Sequence, residues 1–439
     1  MTASSIRRKW SNPTSPPLSR LRKFNAFPLL KVNRPTPEAA LELIAASTRL
    51  LFTNGQTTER VMVAAKQMAA SLGVKAGVFP SWGELAIRLE GDNRSDMIAA
   101  EPAGVDMHKV VATMTVVDEV RAGRMDAATA QSTLVSIAHD PPISLIRFAA
   151  MAAAGAVALS VIFGATHPLT WVLIALSAGA GACLRRWIAG ISHNLFLQPL
   201  SAALLAGIAG AIAVRSLTGP EIGLIAVCPC MILVPGPHFL NGMIDLARAR
   251  IALGLARLTY AGVITLMICT GLILGLALGG ANLPSSAPSQ TIPLGYDVLA
   301  AGVAVAAYGT FFSMSWRMLP IPVLIGMLAH GLRWGALNLG ASPVLGALVA
   351  CLVVGLLAAP ISDRMRLPFA GLAFASVVSL IPGVFLFRMA GSMVEFVTQG
   401  PQAPAELLTQ IAFDGTTAFL IILAMAFGLI FPRMCIDWH

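Results

Sequence analysis

Charge is scarce in this chain. Of its 439 residues only 12% are Asp, Glu, Lys or Arg, against about 25% in an ordinary soluble domain, while 56% are apolar. Lysine is missing altogether from residues 143–439: Lys9, Lys23, Lys31, Lys66, Lys75 and Lys109 all come earlier. Residues 1–142 hold 17 Lys+Arg and 13 Asp+Glu, and the much longer 143–439 holds 13 and 8. Hydrocarbon tolerates neither charge nor unpaired backbone. The asymmetry therefore separates a water-soluble front from a membrane-embedded remainder.

Other absences narrow the chemistry. No Gly-rich phosphate loop and no nucleophile elbow occur, which disfavours nucleotide-driven pumping and leaves no convincing Ser/His site. The cysteines (Cys183, Cys228, Cys230, Cys269, Cys351 and Cys435) lie in or beside apolar segments. Cys228-Pro229-Cys230 is too tight for zinc and has no histidine cluster beside it. All six read as small apolar fillers without disulfides, and neither a metal nor a cofactor is expected. No continuous apolar run follows the basic start, so no signal peptide is expected. The net charge of +9 reflects loops and a basic arm over residues 1–37, expected to be disordered, rather than a nucleic-acid partner. Residues 1–34 carry eight basic residues and no acidic one, interrupted by Pro13, Pro16 and Pro17; contact with anionic lipid is open to such an arm.

Residues 38–142 read as a small α/β domain. Leu41, Ile44, Ala45, Thr48 and Leu51 keep helical spacing up to Asn54-Gly55. Thr57 caps a second helix carrying Val61, Ala65, Met68 and Leu72, which Gly73 stops. After a Trp82-Gly83 turn, Leu85, Ile87 and Leu89 alternate as a strand does. A third helix carries Met107, Val110, Val111, Met114 and Val117; a fourth starts near Asp126 and ends at Pro141-Pro142. Glu84, Glu90, His108 and the Asp118-Glu119 pair have no spacing that demands catalysis. The chain is thus not read as an enzyme. The competing readings are a membrane enzyme or a sensor in which this domain carries the activity.

The membrane part shows ten apolar segments, about 143–164, 168–184, 196–214, 222–236, 255–280, 296–314, 318–332, 343–361, 368–384 and 411–432. The pattern repeats at an offset of 147, which carries Val234-Pro235-Gly236 onto Ile381-Pro382-Gly383 and Arg186-Trp187 onto Arg333-Trp334. Each unit, 143–290 and 291–439, has five segments. An odd number requires the second to thread the bilayer upside down relative to the first. The expected fold is an α-helical polytopic membrane protein of about ten transmembrane helices, two inverted five-helix repeats behind an N-terminal cytoplasmic α/β domain. Positive-inside bias puts Arg185, Arg186, Arg248, Arg250, Arg317, Arg364 and Arg366 in inner loops, with both termini cytoplasmic. The outer loops hold Arg215, Arg333 and Arg388.

Inverted repeats with breaks at matching places point to a secondary transporter and to its binding site. Proline removes a backbone donor and glycine admits unusual dihedrals, so Pro235, Gly236, Pro382 and Gly383 can turn backbone groups toward a solute. Asn241 and Asp245 are four apart and share a helix face, either to hold a substrate's polar groups or as an amphipathic helix in which Asp245 pairs with Arg248 or Arg250. Arg388 is placed to steer a carboxylate or to anchor at the interface. Asp414, with Thr416 and Thr417, puts an acid and two hydroxyls in an apolar helix, a functional candidate by position. Asp245 and Asp414 are the candidates for proton coupling. Asp297 and Glu221 read as boundary residues, and His238 is a lone histidine near neutral titration.

These residues also carry a likeness. Asn54-Gly55 with Thr57-Thr58-Glu59-Arg60, then Val-Pro-Gly, Asn241, Asp245-Leu246 and Gly254-Leu255-Ala256-Arg257-Leu258, and a later Pro-Gly-Val-Phe-Leu-Phe-Arg, resemble the bacterial threonine/serine exporter family over about residues 38–432. Pro237-His238 departs from the smaller residues expected after the first break. The resemblance implies export of threonine or serine across a bacterial inner membrane by a multi-pass antiporter driven by the proton gradient. The implied partners are a small amino acid, protons and membrane lipid, with a homo-oligomer left open.

Overall fold

The computed structural model describes residues 35–91, 94–217, 219, 221–281 and 292–437. The basic arm up to residue 34 and most of the 281–295 loop lie outside these residues. Helix α1 (Pro37–Thr53) opens with proline at its first turn and Thr36 Oγ1 accepting the Ala39 N–H, both helix-start devices. It ends at Asn54-Gly55, where Gly55 has φ +90°, a backbone shape that suits glycine. Helix α2 (Thr58–Ser71) follows at once and stops before Gly73. Three antiparallel strands come next in the order β1 (Ala76–Ser81), β2 (Gly83–Leu89), β3 (Ser95–Ala100). Only β2 was legible from alternation. Helices α3 (Met107–Arg121) and α4 (Ala127–His139) are capped by Asp106 and Asp126, whose carboxylates accept the N–H groups of Lys109 and Thr129. Leu43, Ile44, Leu51, Val61, Met68, Leu85, Ile87, Val117 and Leu134 make one core between the helices and the sheet.

The remainder is helical: α5 (Leu145–Ile162), α6 (Pro168–Ile191), α7 (Leu197–Ser216), α8 (Gly223–Met231), α9 (Gly236–Ala247), α10 (Ile251–Leu278), α11 (Leu294–Phe311), α12 (Pro320–Asn338), α13 (Pro343–Met365), α14 (Phe369–Val377), α15 (Gly383–Gln399) and α16 (Ala405–Asp437). Among the described residues, seven of these are long and apolar enough to cross a membrane, or nine if the bent pairs α8/α9 and α14/α15 each count as one span. Helix α12 occupies the seventh expected segment but is not among those seven. Elements therefore exist at all ten expected places, with seven to nine qualifying as spans. The helices also outrun the apolar segments: α9 and α15 continue beyond the breaks, and α16 begins at Ala405 rather than near 411.

Small residues let these helices approach closely, as lipid-embedded helices must when no hydrophobic force drives them together. A Cβ on Gly207 or Gly271 would run into carbonyl oxygens of α10 and α7 respectively, and one on Gly355 would lie 2.7 Å from the Gly428 oxygen of α16. The α7–α10 and α13–α16 contacts are thus both glycine-lined. Helix α5 packs on α11, where Gly155 meets Ala307.

The C-terminal ends of α9, α11 and α13 all meet the front part of the chain. Thr58 donates to Asp245, Met107 N–H donates to the Phe312 oxygen at 2.9 Å, and Arg366 pairs with Asp118 at 2.6 Å.

Candidate functional site

The two expected breaks are built alike. Between α8 and α9 the axis bends by 53°, Pro235 has φ −82° and ψ 57°, and Gly236 N–H donates to the Val234 oxygen at 2.9 Å. Between α14 and α15 the bend is 66°, Pro382 has φ −76° and ψ 43°, and Gly383 N–H donates to the Ile381 oxygen at 2.8 Å. Each is an inverse γ-turn centred on the proline. A three-residue hydrogen bond replaces the helical ladder there, and the preceding carbonyls of Cys230, Met231 and Val378 accept from residues three rather than four positions on. One of them, the Met231 oxygen, accepts from the Tyr308 hydroxyl of α11.

The breaks interlock. Gly236 packs against the ring of Phe374 on α14, and Gly383 packs against the Met231 side chain of α8. Both glycines line a single cavity of ≈210 Å³, together with Phe239, Leu240, Met243 and Phe374. Its walls are almost wholly apolar, and Thr265 supplies the one hydroxyl. A zwitterion left there without hydrogen bonds would be strongly disfavoured. Asn241, Asp245, Arg388 and Asp414 are not among its lining residues.

Asn241 and Asp245 do share a face of α9, and that face turns to the front part of the chain. Asn241 Nδ2 donates to the Gly55 oxygen at 3.2 Å, and its Oδ1 has no partner. Asp245, only 1% exposed, accepts from Thr58 Oγ1 at 3.0 Å and pairs with Arg257 Nε at 3.1 Å and Arg250 Nη1 at 3.5 Å. Arg257 is fully buried in α10, with Cζ 5.2 Å from the centre of the Phe52 ring. Of the alternatives left open for Asp245, pairing with Arg250 is present, and pairing with Arg257 is added.

Helix α2 supplies this contact from its first turn. Thr58 meets Asp245, and Glu59 meets Arg250 at 2.5 Å and Arg248 at 3.1 Å. Arg60 pairs with Asp363 of α13, which also takes Arg433 of α16 at 2.9 Å. Three consecutive residues therefore bind both membrane units. Burial works to raise the Glu59 pKa, but the Arg250 hydrogen bond and the charges of Arg248 and Arg250 outweigh it and hold the carboxyl below the usual range. His238 is buried edge-on to Tyr260, whose ring also meets Trp82 of the front part at 4.9 Å.

The remaining candidates are not brought together as one site. Arg388 and the fully buried Asp414 pair with each other, the Arg388 Nε bond being 3.0 Å, and Gln410 Nε2 donates to Asp414 at 2.7 Å. Thr416 is exposed and Thr417 half-buried, and neither lines the cavity between the breaks. Asp297 is buried and bonded to His330 Nδ1 at 3.0 Å, so it is more than a solvated boundary residue. Glu221 accepts N–H groups from Thr166 and His167 and closes a loop. Among the described residues no group of three or more His, Cys, Asp or Glu is arranged to hold a metal.

Sequence reasoning gave no role to Arg257, Thr58 or Glu59. Arg257 carried a usable signal, a charge seven residues into a long apolar helix; the other two carried none apart from their place at a helix start.

Two family models match the chain. A family model described as "Putative threonine/serine exporter" matches residues 42–279, and a second, described as "Threonine/Serine exporter", matches residues 297–435. No curated protein and no solved structure matches the chain. The first match alone covers more than half of the chain, and the second begins where the second helical unit does. The chain belongs to the threonine/serine exporter family.

Proposed function

We propose that this protein is a secondary transporter that moves threonine, serine or a close hydroxylated relative out of a bacterial cytoplasm in exchange for protons. The observation that carries the reading is the pair of matching proline γ-turns. They lie 147 positions apart and their glycines line one cavity, as the discontinuous helices of inverted-repeat carriers line a solute site. The glycine-lined α7–α10 and α13–α16 contacts support the same duplication. In this account residues 143–290 and 291–439 cross the inner membrane in opposite senses, and both termini are cytoplasmic. Residues 38–142 form a cytoplasmic domain that caps the inner end of the path at Asn241, Asp245 and Arg257.

Protons couple through ion pairs. Asp245 holds Arg257 and Arg250, and Asp414 holds Arg388. Protonating either acid frees an arginine, which changes both the docking of the front domain and the charge offered to a substrate. Rocking of one unit against the other then exposes the site alternately. The purified chain in proteoliposomes, loaded with labelled threonine or serine, should release label faster when a proton gradient is imposed and lose that stimulation with an uncoupler. Release indifferent to the gradient would remove the proton from the mechanism. Failure to move any small amino acid would remove the exporter reading.

A further inference from the structure

A second cavity, of ≈70 Å³, lies on the far side of the second break and shares Ile381 with the apolar cavity. Arg333 and Ser379 are its polar side chains, set among Phe163, Ala347 and Pro382. Ser379 is 3% exposed, and its hydroxyl has no hydrogen-bond partner. Arg333 makes no hydrogen bond or ion pair among the described residues, although the Asp297 charge, itself engaged by His330, reaches it. An unpaired guanidinium and an unpaired hydroxyl around one small space ask for an oxyanion.

The first unit holds a counterpart. Arg186 maps onto Arg333 at the offset of 147, and its neighbour Arg185 lines a cavity of ≈20 Å³ with Ser177, Ile232 and Leu233. Arg185 Nε and Nη1 and the Ser177 hydroxyl there are likewise unpartnered. Ile232 and Leu233 map onto Ser379 and Leu380, which line the larger cavity. Both units thus set an arginine of their second helix and a buried serine hydroxyl beside the residues leading into the break. One such space is wide and the other collapsed.

The geometry points to Arg333 and Ser379 as the site that receives the carboxylate of the departing amino acid at the end of the path away from the front domain. The inference rests on the exporter reading and adds residues to it. A water needs about 10–15 Å³ on this measure, so the space suits a few heavy atoms. It does not suit a lipid headgroup with its chains. Arg333 takes the carboxylate with two donors, and Ser379 adds a third.

The test uses the full chain in proteoliposomes and, separately, in detergent. Threonine should compete with labelled threonine, and threoninol, which lacks the carboxylate, should not. Arg333→Gln should raise the threonine concentration for half-maximal transport by about tenfold or more, since a hydrogen bond to a charged group is lost. Arg333→Lys should raise it less, and Ser379→Ala by a few fold. Binding is read independently as the rise in melting temperature that threonine gives the detergent-purified protein, a rise that Arg333→Gln should abolish and Arg333→Lys retain. Transport by the wild type with threoninol competing equally, or with Arg333→Gln within twofold, overturns the site and leaves the exporter. Binding without transport overturns the exporter and leaves the site; neither one overturns both. A variant altered only in its dependence on anionic lipid would assign the space to a headgroup and also overturn the proposal.

Discussion

Gly236→Ala should be among the most damaging single-methyl additions in the chain. Neither Gly236 nor Gly383 has a positive φ, so alanine meets no backbone penalty at either place and the substitution isolates packing. A Cβ on Gly236 would fall within 1.5–2.1 Å of three ring atoms of Phe374, a rigid group buried at 6% exposure. The rigid ring must swing toward the cavity it lines or α9 and α14 must separate, and overpacking of this kind costs up to about 3 kcal/mol. The same methyl on Gly383 meets the end of Met231, at 2.6 Å from Cε and 3.1 Å from Sδ. A thioether swings aside easily, which holds the cost under about 1.5 kcal/mol. Thermal unfolding in detergent should rank the proteins wild type, Gly383→Ala, then Gly236→Ala. In a Phe374→Ala background, Gly236→Ala should become nearly neutral, because the atoms it strikes are gone. Equal losses from Gly236→Ala with and without Phe374, or no loss at all, would refute the interlocked breaks.

Three further outcomes follow from the ion pairs. Asp245→Asn leaves Arg257 fully buried without its carboxylate and should cost about 3–5 kcal/mol, and adding Arg257→Gln should recover part of that loss in the same unfolding assay. Glu59 has a folded pKa below its unfolded value, so its contribution is complete above about 4.3 and disappears as pH falls through the lower folded value. Hydrogen-exchange protection at residues 55–62, taken relative to the intrinsic rate at each pH, should hold down to about pH 5 and fall below about pH 4, and Glu59→Gln should remove that acid dependence. Asp414→Asn should abolish proton-stimulated efflux while the protein still purifies as a folded species; unaltered stimulation would clear Asp414 of a coupling role.

Hydropathy made the helical framework legible because burial in lipid imposes one long apolar run per crossing. The proline-glycine pairs were legible for the same reason, as interruptions in runs that otherwise brook none. Strands β1 and β3 were not: β1 contains Gly77 and Pro80, β3 contains Ser95 and Asp96, and neither alternates cleanly. Their partner β2 does, and pairing to it holds them. Asn241 and Asp245 were correctly put on one face, but what that face meets depends on Gly55 and Thr58, nearly two hundred residues away. No local periodicity encodes such a contact. Arg388 and Asp414 were each legible as polar residues in an apolar setting, and their mutual pairing was hidden by the α15–α16 turn between them.

The proposed carrier mechanism requires the two helical units to cross the membrane in opposite senses. His193 lies just after α6 and Leu339 just after α12, near-equivalent places in the two units, and both are exposed. In intact cells, with the native cysteines removed, a membrane-impermeant maleimide should label a Leu339→Cys protein and should reach a His193→Cys protein only after permeabilisation. Labelling of both from the same side would contradict the opposed arrangement and the carrier mechanism built on it.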